Sequence, residues 1–207
     1  MIAMPAAAEV DAPPSVPRSW CWLFAIGLVA AIAVTFWPPR DAEFVFDDIQ
    51  LIAKNRAVAE GDLLGALFGR GEVMGNRPVT NFALALQHLC LGGSVFAHRV
   101  VSVVLHAVAA LLAFVAVRSA LRSPAFAGRV SERLGFAIAA VASAIWALHP
   151  LTTDAVAYTI QQSMLLMGIC AFGAVVLLHR VHAEPERSRW RAALVATVAI
   201  GMACKEE

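Results

Sequence analysis

Lysine occurs only twice in this chain against fourteen arginines, and charged residues of both signs reach only 15%. With a formal net charge of +1 there is no general cationic excess to neutralise a nucleic-acid backbone, so no nucleic-acid partner is expected. The chain also has no glycine-rich loop to cradle phosphates, no His/Cys cluster at metal-ligand spacing and no Ser-His-Asp candidate set. Its four cysteines, Cys21, Cys90, Cys170 and Cys204, fall in or beside apolar segments without paired spacing. They read as small buried hydrophobes, not as a disulfide framework or a metal site.

What is present in excess is apolar sequence. Sixty per cent of the residues are hydrophobic, well above the roughly 45–50% of soluble domains. They are grouped in long blocks between charged stretches, the pattern of an all-α polytopic membrane protein. About five transmembrane helices are expected, at residues 20–37, 96–121, 134–148, 164–178 and 190–207. The first is bracketed by Trp20, Trp22 and Trp37, suited to the membrane interface. It follows an Ala/Pro-rich tail, residues 1–17, expected to be disordered, and it is followed by Pro38-Pro39 and not by a cleavage site. An uncleaved anchor is therefore expected. The third span ends at His149-Pro150, where proline cannot continue the helix.

Arginine sets the expected orientation. Arg118, Arg122, Arg129 and Arg133 lie between the second and third spans, and Arg180, Arg187, Arg189 and Arg191 between the fourth and fifth. Residues 149–163 contain no Lys or Arg. The positive-inside rule then places the arginine loops and the N-terminus in the cytoplasm, in a multi-pass protein of the inner (plasma) membrane. The long loop, residues 38–95, faces outward. Within it, residues 48–53 and 63–68 are short amphipathic stretches. Residues 79–91 form an apolar run too short to span, expected as an interfacial or re-entrant helix.

The outward loop begins with Phe44-Val-Phe-Asp-Asp-Ile-Gln-Leu-Ile52, directly after the first span. The neighbouring carboxylates of Asp47 and Asp48 at a bundle mouth suit a general base or a cation ligand, a divalent ion included, although Asp is also a common turn and cap residue. On the second span Arg99, Ser102 and His106 share one helix face. Arg99 can snorkel to the interface, whereas His106 is deep enough to face a cavity or bond to another helix. The turn His149-Pro150-Leu-Thr-Thr-Asp154 gathers an imidazole, two hydroxyls and a carboxylate. Its threonines are expected to cap the next short helix, with Asp154 in the first turn. Lys205-Glu206 closes the fifth span on the same outer side. Acids and a few bases around an outward pocket suit chemistry on a lipid-linked substrate, or ion-coupled transport.

Five segments in order carry a family resemblance: Phe44-Val-Phe-Asp-Asp-Ile49, Asn76-Arg-Pro-Val-Thr-Asn81, Phe96-Ala-His-Arg-Val-Val-Ser-Val-Val-Leu-His106, His149-Pro150 with Asp154-Ala-Val-Ala157, and Cys204-Lys-Glu206. Together they resemble the first membrane region of the transmembrane and tetratricopeptide-repeat O-mannosyltransferases and their bacterial relatives, which are membrane-integral C-type glycosyltransferases. The resemblance implies transfer of a sugar from a polyprenyl-phosphate-linked donor to a protein or glycan acceptor on the outer face. It maps the catalytic acidic motif onto Asp47 and Asp48. It places Arg77, His149, Asp154 and Lys205 about the lipid phosphate or the acceptor, with Asp154 where the family usually has Glu, and His106 and Glu206 are further candidate substrate-binding residues. It also implies an Arg shortly after the His-Pro turn, where this chain has Gln162. The family continues beyond the Lys-Glu motif, so this chain is expected to be an N-terminal part. The reading from another class is a non-catalytic membrane subunit or transporter fragment, in which the polar face of the second span serves packing or ion passage.

Overall fold

The computed structural model describes residues 15–41, 43–69 and 77–205, and these are helical with no strand among them. Three helices are long and apolar enough to cross a membrane: α1 (Arg18–Phe36), α5 (Val95–Leu121) and the segment Thr159–Ala183, most of which is α8 (Gln162–Ala183). A fourth crossing exists if α6 (Glu132–Leu148) is joined to its continuation Pro150–Ala157, which bends away by 54°. The bend falls at Pro150, whose ring and missing N–H end the ladder of α6. The fifth expected span is α9 (Ser188–Cys204), whose seventeen residues give only about 25 Å of helix against a core of about 30 Å.

α5 is the axis of the bundle. Half of its most apolar stretch is covered by neighbours, against 11% for α1 and 6% for Thr159–Ala183. Ala107, Ala109, Ala110, Ala113 and Ala116 make this possible, because small side chains let adjacent helices approach closely. One buried cluster joins Leu28 and Ile32 of α1 to Val103, Ala107 and Ala110 of α5, Ala147 of α6 and Val156 of α7 (Thr153–Ala157). The outer faces of α1 and α9 remain apolar and open, with Leu23, Ile26, Val34, Val195 and Met202 all exposed, as lipid-facing surfaces require.

The segment between α1 and α5 is a small helical cap, not an open loop. A π-helical turn at Ile49–Ala53 and α3 (Leu63–Leu67) fall close to the two amphipathic stretches read from the sequence. Between them lies α2 (Arg56–Ala59), started by Asn55, whose Oδ1 accepts from Val58 N at 3.4 Å. The run at residues 79–91 is α4 (Pro78–Leu91), with Pro at its first position and Gly92 at its end. Its fourteen residues reach only about 21 Å. α4 packs against α2, α3, α9 and α5. Ile52, Val58 and Leu84 bury themselves with Ile160, which fastens the cap to the segment leading into α8.

Beneath the cap is a knot of polar side chains. Gln162 donates through Nε2 to His98 O at 2.9 Å and Ser102 Oγ at 3.1 Å, and it accepts from Gln87 Nε2 at 2.7 Å. His98 Nδ1 lies 3.0 Å from Gln87 Oε1. All four side chains are buried, and they pin α4, α5 and α8 together. Gln162, which stands where the resemblance implies a cation, is thus an internal junction and not a cleft residue.

Candidate functional site

After α1 the chain turns at Pro38-Pro39 and reaches Phe46, which has φ = 47° and is the one described non-glycine residue with positive φ. This left-handed residue directs the next two side chains apart. Asp48 turns inward and is fully buried. Its Oδ1 accepts from Ile160 N at 2.8 Å and its Oδ2 from Thr159 N at 3.3 Å. Burial raises its pKa from 3.8, with the Ile160 and Thr159 N–H groups and the Arg99 charge acting in the opposite sense. Asp47 is exposed, and its backbone N–H donates to Tyr158 Oη at 2.9 Å. Two adjacent residues therefore grip the three-residue strip 158–160, more than a hundred positions later in the chain.

Asp154 comes to the same place. It is exposed on α7 and lines a cleft of about 630 Å³ together with Val45, Phe46, Arg99, Pro150, Leu151, Thr153 and Tyr158. That volume is within the range of small-molecule sites. The Tyr158 hydroxyl is held above its usual pKa by burial first, and then by the charges of Asp47, Asp48 and Asp154. Tyr158 is the chain's only tyrosine. Sequence reasoning missed it; the signal available was an isolated tyrosine four residues after Asp154 in a loop free of basic residues.

The cation of this group is Arg99. It sits in the first turns of α5, donates through Nη2 to Glu43 O at 2.9 Å, and keeps a buried Nε with no acceptor. It also lines a smaller cavity of about 160 Å³, formed with Thr35, Phe36, Trp37, Pro38 and Val156 at the end of α1. A guanidinium with an unsatisfied donor shared between two mostly apolar cavities can bind an oxyanion that carries a hydrophobic tail.

Other residues singled out in the sequence stand elsewhere. His106 lies between helices: its Nε2 is 2.8 Å from Ala147 O, and its ring packs on Phe36 and Trp146. It lines neither cavity. His149 is exposed and caps the Pro150–Thr152 turn, with Leu151 N donating to its Nδ1 at 3.2 Å. Thr152 does not cap α7; its hydroxyl donates back to His149 O at 2.7 Å, which tightens the turn instead. Arg77 immediately precedes α4, and Lys205 follows Cys204, whose carbonyl accepts from Thr80 Oγ1 at 2.7 Å. The starts of α4 and α8 and the end of α9 therefore meet, with Lys205 Nζ at 2.9 Å from Met164 Sδ. Asn76 and Glu206 lie outside the described residues, as does most of the tail.

Among the described residues no group of three or more His, Cys, Asp or Glu side chains could hold a metal ion. A divalent cation at Asp47 and Asp48 would have to compete with the two backbone N–H groups that Asp48 already accepts.

No protein-family model matches the chain. Over 162 residues, 72% of this chain, it is 32% identical to a protein O-mannosyl-transferase of Caenorhabditis elegans. The chain spans 22% of the length of that curated relative. No solved structure matches. The matched segment is long enough to include most of the bundle, and the similarity supports a glycosyltransferase-like family.

Proposed function

We propose that this chain is the catalytic membrane region of a glycosyltransferase that moves a sugar from a polyprenyl-phosphate-linked donor to an acceptor hydroxyl, such as protein Ser or Thr. The reaction takes place on the membrane face opposite the arginine loops. The observation that carries the reading is the cleft that Arg99, Asp154 and Tyr158 line together, with Asp47 tied beside it through its backbone N–H to Tyr158 Oη. Asp47 is the exposed member of the aspartate pair and takes the proton from the acceptor hydroxyl. The acceptor oxygen then bonds to the anomeric carbon, the bond from that carbon to the phosphate oxygen breaks, and the lipid phosphate leaves with the electron pair. Arg99 stabilises that departing charge, its Nε being without an acceptor. Asp48 positions Asp47 by anchoring the strip at Thr159 and Ile160.

The reading from another class gives the polar face of α5 either packing, in a subunit, or ion passage, in a transporter fragment, and the bonds made there bear only on the transporter form. Ser102 and His106 are engaged in bonds between or within helices, which favours packing for that face. The test is sugar transfer in membranes carrying this chain, or a longer relative that aligns with it. Asp47→Asn should lower turnover by ~10²-fold or more, the scale of a lost general base, with membrane insertion unchanged. Near-normal turnover would reject Asp47 as the base.

A further inference from the structure

At the other end of α5, about 28 Å along the helix from Arg99, is a second cavity of about 300 Å³. Arg118 and Arg122 from the end of α5, Phe126 and Ala127 from the turn that follows, and Ser131 and Glu132 at the start of α6 form its wall. Glu132 is held by Arg122 through a two-point pair of 2.9 and 2.7 Å. Arg118 is left with poor partners. Its Nη1 donates to Cys21 Sγ, a weak acceptor, and its Nη2 is 3.6 Å from Glu132. Its Nε is buried with no acceptor at all. The Arg118 side chain is only 15% exposed, and the rings of Phe114 and Phe136 hold the guanidinium at 6.0 and 5.7 Å. The one carboxylate of Glu132 is shared by Arg118 and Arg122, so the wall carries two cations against one anion, and the Nε of a largely desolvated Arg118 is left to favour a further oxyanion. Ser131 can add a donor, since its Oγ accepts from Leu134 N and so keeps its own proton free to give.

The surroundings identify the source of the oxyanion. Trp20 packs edge-on against Phe136 at 6.2 Å, which sets the cavity at the depth that tryptophan takes in a membrane interface. Phe126 on the wall is 40% exposed, and Leu121 and Val130 add further apolar lining beside it. We propose that this cavity binds the phosphodiester headgroup of an anionic glycerophospholipid from the leaflet on the arginine side, with Arg118 as its principal contact. The site is independent of the glycosyltransferase reading and lies away from that cleft.

Native mass spectrometry and thermal unfolding of the purified full chain, titrated with phosphatidylglycerol or phosphatidylcholine, test it. Phosphatidylglycerol should remain bound and raise the unfolding midpoint, whereas phosphatidylcholine should not. Arg118→Gln should weaken phosphatidylglycerol binding by about tenfold or more, the value of one charge-assisted contact, while Arg191→Gln in the other basic loop leaves it unchanged. Ala127→Glu, on an exposed turn that perturbs no helix, should do the same as Arg118→Gln and decides the matter if the latter fails to fold. Undiminished binding in Ala127→Glu and in any folded Arg118→Gln would overturn the proposal. So would equal protection by inorganic phosphate at matched concentration, which would make this a site for free anions.

Discussion

Asp47 and Asp48 are chemically identical neighbours with opposite tasks, and their substitutions should separate. In Asp48→Asn one of the two buried N–H groups of Thr159 and Ile160 loses its carboxylate oxygen and faces an amide NH2. A cost of about 1–3 kcal/mol is expected, as for a buried donor left unsatisfied, and thermal unfolding in detergent would show it. Asp47→Asn should leave the midpoint nearly unchanged. The pH dependence of Asp48 has a definite sign. Burial holds its pKa above 3.8, so the folded state binds that proton more tightly than the unfolded chain does. The resulting stability is present in acid and is lost as pH rises from 3.8 through the raised folded value. The unfolding midpoint of wild type relative to Asp48→Asn should therefore fall across that window, and a rising difference would show that the bonded carboxylate outweighs burial. That one aspartate must differ from the other follows from adjacency alone. Which one turns inward depends on the conformation of Phe46 and on a strip of chain at residues 158–160, and neither was legible locally.

Among the elements, the long helices were legible because an apolar block of eighteen or more residues has few alternatives in a membrane protein. α2 was not, since four residues carry no periodicity and its signal is the single cap at Asn55. The polar knot was also hidden. Gln87, His98, Ser102 and Gln162 look unrelated in sequence, and only the packing of α4 and α8 against α5 makes them one network. Gln162→Leu should be strongly destabilising, by about 2–5 kcal/mol, because it strands several buried partners at once. Replacing the neighbouring Gln161, which is only half-buried, should lower the unfolding midpoint much less. At the α8–α9 contact a Cβ built on Gly201 would come within 2.9 Å of Cys170 Cβ. Gly201→Leu should push α9 away from α8 and with it the carbonyl of Cys204 that Thr80 bonds.

For the whole molecule, we propose from the eight arginines clustered about the α5–α6 and α8–α9 connections that these connections lie on one side of the membrane and the Asp47 cleft on the other. Single cysteines at Ala59 and Ala127, both exposed, test this in a background lacking the four native thiols. An impermeant reagent on intact cells should label position 59 and not position 127. The reverse pattern would invert every span. The two ends of α5 each carry an arginine on a cavity wall, Arg99 at the cleft and Arg118 at the opposite end, joined by an alanine-rich stretch that fits tightly among its neighbours.

Phe46 remains the strained joint of the molecule. A bulky residue at φ = 47°, 83% exposed, gains little from burial to compensate for its backbone conformation. The bonds made by its two successors must hold it there, so Phe46 is cocked and the grip on residues 158–160 is its catch. Releasing the catch should let the acidic turn swing free of the cleft. Phe46→Gly, which accepts this conformation without strain, should unfold no more readily than wild type, whereas β-branched Phe46→Val should lose about 1–2 kcal/mol.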